Sequence, residues 1–252
     1  MNKIDPHRRL LLTLGALALA GPVAAGPLDW IGGERVQGNG SVKIQAREPG
    51  HFTGISLAVP GSLELRIGAT ESLTIETDDN IMAKIETVVE DGILKIRPLR
   101  RNVALQPSRL KIVVQAAEID HLGVGGSGSI AADALRTPRL QVDIGGSGSI
   151  AVRQLDADAL SVTVGGSGGL KAAGTVRKAA VTIGGSGSVD LGQLKAAEAS
   201  ANVAGSGQVT LNVHDALSVS IAGSGDVNYY GDPKLSRTVA GSGQVRRLGP
   251  SR

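Results

Sequence analysis

One tripeptide, repeated at a nearly fixed interval, limits what this chain can fold into. Gly-Ser-Gly occurs seven times: Gly126-Ser127-Gly128, Gly146-Ser147-Gly148, Gly166-Ser167-Gly168, Gly185-Ser186-Gly187, Gly205-Ser206-Gly207, Gly223-Ser224-Gly225 and Gly241-Ser242-Gly243. Successive serines are 20, 20, 19, 20, 18 and 18 residues apart. A flexible linker has no reason to recur on such a period, whereas a repeat architecture requires it.

The residues around each triplet alternate with a period of two. Val124, Ile144, Val164, Ile183, Val203, Ile221 and Val239 stand two positions before the first glycine, and Ile130, Ile150, Leu170, Val189, Val209, Val227 and Val245 two positions after the last. These residues and both triplet glycines share one parity, and the serines take the other, which is the signature of a half-buried strand. Leu135, Leu155 and Leu194 fall between triplets, where a third short strand or corner fits. The residue just before the triplet is Gly125, Gly145, Gly165 or Gly184 in four copies but Ala204, Ala222 or Ala240 in three, so this site has ordinary extended geometry. The triplet glycines themselves never vary, which points to a sharp corner around a narrow interior.

A βαβ unit needs 30 or more residues, and a leucine-rich repeat needs a recurring Asn that is missing here. The expected fold class is therefore all-β: a parallel β-helix, or β-solenoid, of 18–20-residue coils spanning 121–248. Aromatic residues make up only 2% of the chain, so the core must be built from Val, Ile, Leu and Ala, which suits a thin interior. Residues 34–120 repeat less cleanly, but "SVKIQ", "GISLAV", "SLELRI", "SLTIET" and "ILKIR" all alternate between turn signals such as Pro60-Gly61 and Asp91-Gly92. They are expected to join and cap the helix end, within a single domain over 34–248. "LRRNVALQPSR" (99–109) reads as the main exposed loop between the halves. At the far end Arg246, Arg247 and Pro250 are placed to blunt the last strand edge.

Residues 1–25 read as a signal peptide: Lys3, Arg8 and Arg9 precede an apolar run from Leu10 to Gly21, and Val23 and Ala25 are placed for cleavage before Gly26. Residues 26–33 are then a short leader of the mature chain. The apolar run is shorter than the roughly 20 residues a spanning helix needs, so no transmembrane segment is expected in the mature chain. The chain has 26 Lys and Arg against 23 Asp and Glu, and the signal removes three of the former and one of the latter. The near-neutral remainder gives no support to nucleic-acid binding. There is no Cys to form disulfides.

Motifs that could carry chemistry dissolve into the repeat. Gly123-x-Gly125-x-x-Gly128 matches a dinucleotide fingerprint, and Gly165-x-Ser167-x-Gly169 a nucleophile elbow, but each needs a following helix that the pattern does not supply. His51, His121 and His214 are isolated, with no metal-ligand spacing. His214-Asp215 reads as a turn, and Asp143, Asp156, Asp158, Asp190, Asp215 and Asp226 share no repeat position, so no carboxylate pair arises. No catalytic, cofactor or metal residue is assigned. One stretch could bind anions: Lys95, Arg97, Arg100, Arg101, Arg109 and Lys111, with no acid between Asp91 and Glu118. The bland alternative is a solvated loop and strand face.

The phrase "ESLTIETDDNIMAKIETVVEDGILKIRP" (71–98), the recurring "GSGSI" and the closing "YYGDPKLSRTVAGSGQVRRL" (229–248) resemble the autotransporter-adhesin head GIN domain family of bacterial envelope proteins. The resemblance spans roughly 34–248, with Gly61-Ser62-Leu63 where the family often has Gly-Ile-Asn. It implies a right-handed β-helix, export and an adhesive role, and it supplies no catalytic residue. A domain filling 252 residues leaves no room for a translocating membrane barrel. The expected function is thus a non-catalytic adhesin or interaction module, exported to the periplasm, outer membrane or exterior, with a protein or glycan partner. The alternative is a periplasmic ligand-binding or regulatory accessory protein, and a cryptic enzyme is the third class.

Overall fold

The computed structural model describes residues 34–251, which belong to one compact unit. The proposed signal peptide and leader lie outside the described residues. The chain is a right-handed parallel β-solenoid of about six turns.

The N-terminal part contributes β1 (Glu34–Gln37), β2 (Val42–Arg47), β3 (Gly54–Leu57), β4 (Ser62–Ile67), β5 (Ser72–Asp78), the one-turn α1 (Asp79–Met82), β6 (Ile85–Glu90), β7 (Ile93–Pro98), β8 (Val103–Gln106) and β9 (Leu110–Ala116). The repeat follows as β10 (His121–Gly126), then the full coils β11 (Ser129–Gly146), β12 (Ser149–Gly166), β13 (Gly169–Gly185), β14 (Ser188–Gly205) and β15 (Gln208–Gly223). It closes with β16 (Asp226–Tyr230), β17 (Lys234–Gly241) and β18 (Gln244–Gly249).

Each coil pairs with the next in parallel and in register. Ile130, Ile150, Leu170, Val189, Val209 and Val227 stack in one column, and Val124, Ile144, Val164, Ile183, Val203 and Ile221 in another. All are at most 3% exposed, so the two columns are the spine of the core. In-register stacking places each apolar side chain on its counterpart one rung away, about 4.8 Å off.

The irregular part joins this stack and closes its other end. β3 pairs with β10, and β4 with β11, both in parallel, which carries two faces of the solenoid into the N-terminal half. Antiparallel strands then terminate each face: β6 on β7, and β5 on β9 with β2 outside it. The β6–β7 hairpin turns through Asp91 and Gly92, both at positive φ (54° and 74°), the mirror-image turn that matches strand twist.

Two expectations need correction. Residues 99–109 are not simply a loop: β8 pairs in parallel with β1, and Leu105 is buried. The short Val103–Leu105 alternation is enough for a strand because the N-terminus returns to pair with it. Likewise His214 and Asp215 are not a turn. They lie within β15, where the register shifts so that Ala196 pairs with Val213 and Glu198 with Ala216; the extra residue is taken up as a bulge.

Candidate functional site: a lateral groove along the solenoid

The triplet corners come first, because they set the coil geometry. Their two glycines do different jobs. The first of each triplet, as in Gly146 (φ +117°), takes a backbone conformation that disfavours any Cβ, and one placed there would lie 2.7 Å from Gly126 O. The second, as in Gly148, has no such φ, but its missing Cβ would collide with Val124 Cγ1 and with Gly128 O at 2.6 Å. Gly145, just before the triplet, would meet nothing within 4 Å, which is why alanine serves in the last three copies. The serines are exposed, and their backbone N–H groups bind the coil above: Ser147 N donates to Gly126 O and Ser167 N to Gly146 O, both at 2.9 Å.

The basic stretch is dispersed among carboxylates. Lys95 Nζ lies 2.7 Å from Glu90 Oε2, and Arg97 bridges Glu86 (2.7 Å) and Glu90 (2.8 Å). Arg109 sits 3.0 Å from Glu76 and Lys111 3.7 Å from Glu64. Hydrogen bonds from Lys95 and then Arg97 hold the Glu90 carboxyl below the usual carboxylate range. Only Arg100 and Arg101 of the six stay exposed without a carboxylate among the described residues. Each of the three described histidines has one acidic neighbour: His51 Nδ1 is 2.8 Å from Glu71, His214 Nδ1 2.7 Å from Asp215, and His121 Nδ1 3.7 Å from Asp143. Among the described residues no three His, Asp or Glu side chains converge as metal ligands.

A concavity of another kind lies on the outward face of the sheet that runs into the triplets. It is a groove of about 670 Å³ crossing the coils from Arg139 to Lys234. Two in-register outward columns build it. One holds Arg139, Ala159, Lys178, Glu198, Ala216 and Lys234; the other holds Gln141, Ser161, Ala180, Ser200, Ser218 and Ser236. Six rungs, with five steps of about 4.8 Å between them, give a length of roughly 24 Å. Between the two columns Leu160, Ala179, Ala199 and Leu217 turn their side chains into the core, so the groove is lined by their backbone and by the small outward side chains beside them.

Charge marks the two ends of this groove. Lys178 and Glu198 neutralise each other midway at 2.8 Å. Arg139 and Lys234, at opposite ends, have no carboxylate partner among the described residues. Beside Arg139, Gln141 Nε2 donates to Asp143 Oδ2 at 2.8 Å, which fixes the amide away from the groove's first cation. None of these residues was singled out by the motif search, except Asp143. The signal was present in the columns: every outward position from 159 to 161, and its equivalents in later coils, is small or charged.

A right-handed β-solenoid with a groove across its rungs is the class that fold and geometry define. The chain belongs to the family described as "Putative auto-transporter adhesin, head GIN domain", whose model matches residues 51–233. Among the described residues no helix is long and apolar enough to cross a membrane. Similar solved structures include one from Parabacteroides distasonis described as a "putative lipid binding protein", 26% identical with a TM-score of 0.72, covering 85% of this chain and all (100%) of that one. A "putative adhesin" from Bacteroides fragilis is 24% identical with a TM-score of 0.80, over 84% of this chain and 100% of that one. Another, from Parabacteroides merdae, is 19% identical with a TM-score of 0.67, over 85% and 99%. No curated protein matches the chain.

Proposed function

We propose that this is an exported, non-catalytic binding module of the bacterial envelope, and that its groove takes the acyl chain of a single-chain anionic amphiphile with the charged head at Arg139. The observation that carries this reading is the groove itself: a trough of small side chains spanning six rungs, with a guanidinium at one end that has no carboxylate partner among the described residues.

The ligand class follows by elimination. Backbone N–H and C=O groups of these coils are committed to the parallel ladders. An extended peptide in the groove would therefore desolvate its own amides against alanine and serine with few partners, at a cost of about 1–3 kcal/mol for each one left unmade. No aromatic side chain lines the groove to stack on a sugar. A hydrocarbon chain makes no such demands, and a carboxylate or phosphate at its end suits the forked donors of Arg139. The lipid-binding description of the Parabacteroides distasonis relative supports the same reading.

Support for a non-catalytic role is chemical. Among the described residues the one carboxylate lining the groove, Glu198, is held by Lys178 rather than presented to a substrate. Support for export is the leader sequence before Gly26.

Calorimetric titration with palmitate, kept below its aggregation threshold, tests the reading. Palmitate should bind and acetate should not. Ala180→Phe, which fills the trough from an exposed position, should weaken binding at least about tenfold, the equivalent of 1.4 kcal/mol. Arg139→Glu should weaken palmitate but not hexadecanol. Binding that ignores Ala180→Phe would overturn the groove assignment.

A further inference from the structure

Among the described residues the core thins out at β17 and β18. β17 lies in register on β15, with Leu235 on Leu217, Arg237 on Val219 and Val239 on Ile221. The three upper residues are 1–2% exposed, whereas Leu235 and Val239 are 38% and 40% exposed. Among the described residues no further strand pairs with β17 or β18. The free edges of these strands, eight and six residues long, flank a hollow of about 450 Å³ lined by Arg237, Val239, Gly243, Gln244 and Val245. An open edge over an apolar interior is a template for pairing with another chain, and the same end of a second copy presents the same two edges.

Two side chains spoil that template. Arg237 stands in the inward column that Val142, Val162, Val181, Ala201 and Val219 fill above it. Arg247 stands in the inward column below Leu211 and Tyr229. Arg247 is held in place, its Nε donating to Gly231 O at 2.6 Å and its Nη2 lying 3.6 Å from Asp232 Oδ1. Arg237 has no carboxylate partner among the described residues. If a second copy docked end to end, Arg237 and Arg247 of both chains would be drawn out of water against like charge, which desolvation makes strongly unfavourable. Inward-facing charge is one of the recognised ways in which sheet edges are kept from pairing.

We propose that the C-terminal end of the solenoid is a latent self-association surface, fitted to a second copy of the same end and held closed by Arg237 and Arg247. The pattern points to these two positions because they alone break the apolar columns of the coil above, while their neighbours Leu235, Val239 and Val245 continue them.

Sedimentation of the purified chain across a concentration series tests this. The unaltered protein should remain a monomer. Arg237→Val, which restores the residue of the column above at an exposed position, should produce a concentration-dependent dimer. Adding Arg247→Tyr should tighten it at least tenfold. Arg237→Glu should stay monomeric, and so should Arg246→Val, which removes one positive charge from the outward face of β18, the strand that carries Arg247. The proposal is overturned if Arg237→Val and the double variant both stay monomeric, if the unaltered protein already dimerises through this end, or if Arg246→Val dimerises as readily as Arg237→Val. Circular dichroism on each variant separates dimerisation from misfolding, since Arg237→Val should retain the parent's melting temperature or exceed it.

Discussion

Val124 Cγ1 fills the space where a Cβ on Gly148 would sit, one coil away. That contact explains why the triplet's second glycine recurs although its φ is ordinary. Gly148→Ala must push either Val124 or the Gly128 carbonyl, and overpacking of this kind costs roughly 1–3 kcal/mol. At about 2–4 °C per kcal/mol for a chain of this size, the melting temperature should drop by several degrees. Gly145→Ala, with nothing within 4 Å of its new methyl, should leave it unchanged. Thermal melts of the two variants check the contrast.

The triplet serines face solvent, and it is their backbone amides that donate from rung to rung. We expect Ser167→Ala to cost well under about 1.5 kcal/mol, the ceiling for a net hydrogen bond. A denaturant midpoint within error of the parent is the predicted result. The nucleophile-elbow match at Gly165–Gly169 predicts instead that this one serine is special, so loss of palmitate binding or of any turnover on its removal would revive that reading.

Asp78 is fully buried at the N-terminal end and accepts hydrogen bonds from Ser108 Oγ (2.6 Å), Gly40 N (2.7 Å) and Ser108 N (2.8 Å). The Ser108 hydroxyl, foremost, holds its pKa below the ordinary aspartate value against the opposing effect of burial. A depressed folded pKa gives stability that is present above the unfolded value, about 3.9, and lost as pH falls through the folded one. Asp78→Asn offers an amide nitrogen to donors that need an acceptor. The variant should therefore melt lower at neutral pH, and the gap to the parent should narrow as pH drops from about 6 toward 3. A gap independent of pH would contradict this role.

How much of this was legible in the sequence depends on the kind of signal. The columns of Val, Ile and Leu and the invariance of the triplet glycines were visible because in-register stacking makes every coil report the same environment. Even the tolerance of Gly145 could be read, since Ala204, Ala222 and Ala240 had already made the substitution. The pairing of β8 with β1 was not visible, because it joins segments about 70 residues apart that share no period. Nor was the neutralisation of Lys95, Arg97, Arg109 and Lys111, whose partners Glu90, Glu86, Glu76 and Glu64 reach them through antiparallel neighbours and adjacent rungs. The groove fell between these cases: Ala159, Ala180 and Ser200 occupy periodic positions, but only the lateral stacking of coils turns them into a concavity.

The export reading has its own check. Amino-terminal sequencing of the protein recovered from an envelope fraction should begin at Gly26. A mature chain that still contained Leu10 would mean the leader is retained, and the protein would then be anchored rather than released.

The central claim is that an anionic amphiphile lies along the groove with its head at Arg139. Paramagnetic broadening of backbone amide signals by nitroxide-labelled stearates tests it most directly. With the nitroxide near the carboxylate, the amides of Arg139 and Gln141 should broaden. With the nitroxide near the methyl end, the effect should move several rungs along the groove, to Ala216 and Ser218. Broadening at the same residues with both labels, or centred on Arg100 and Arg101 instead, would contradict the account.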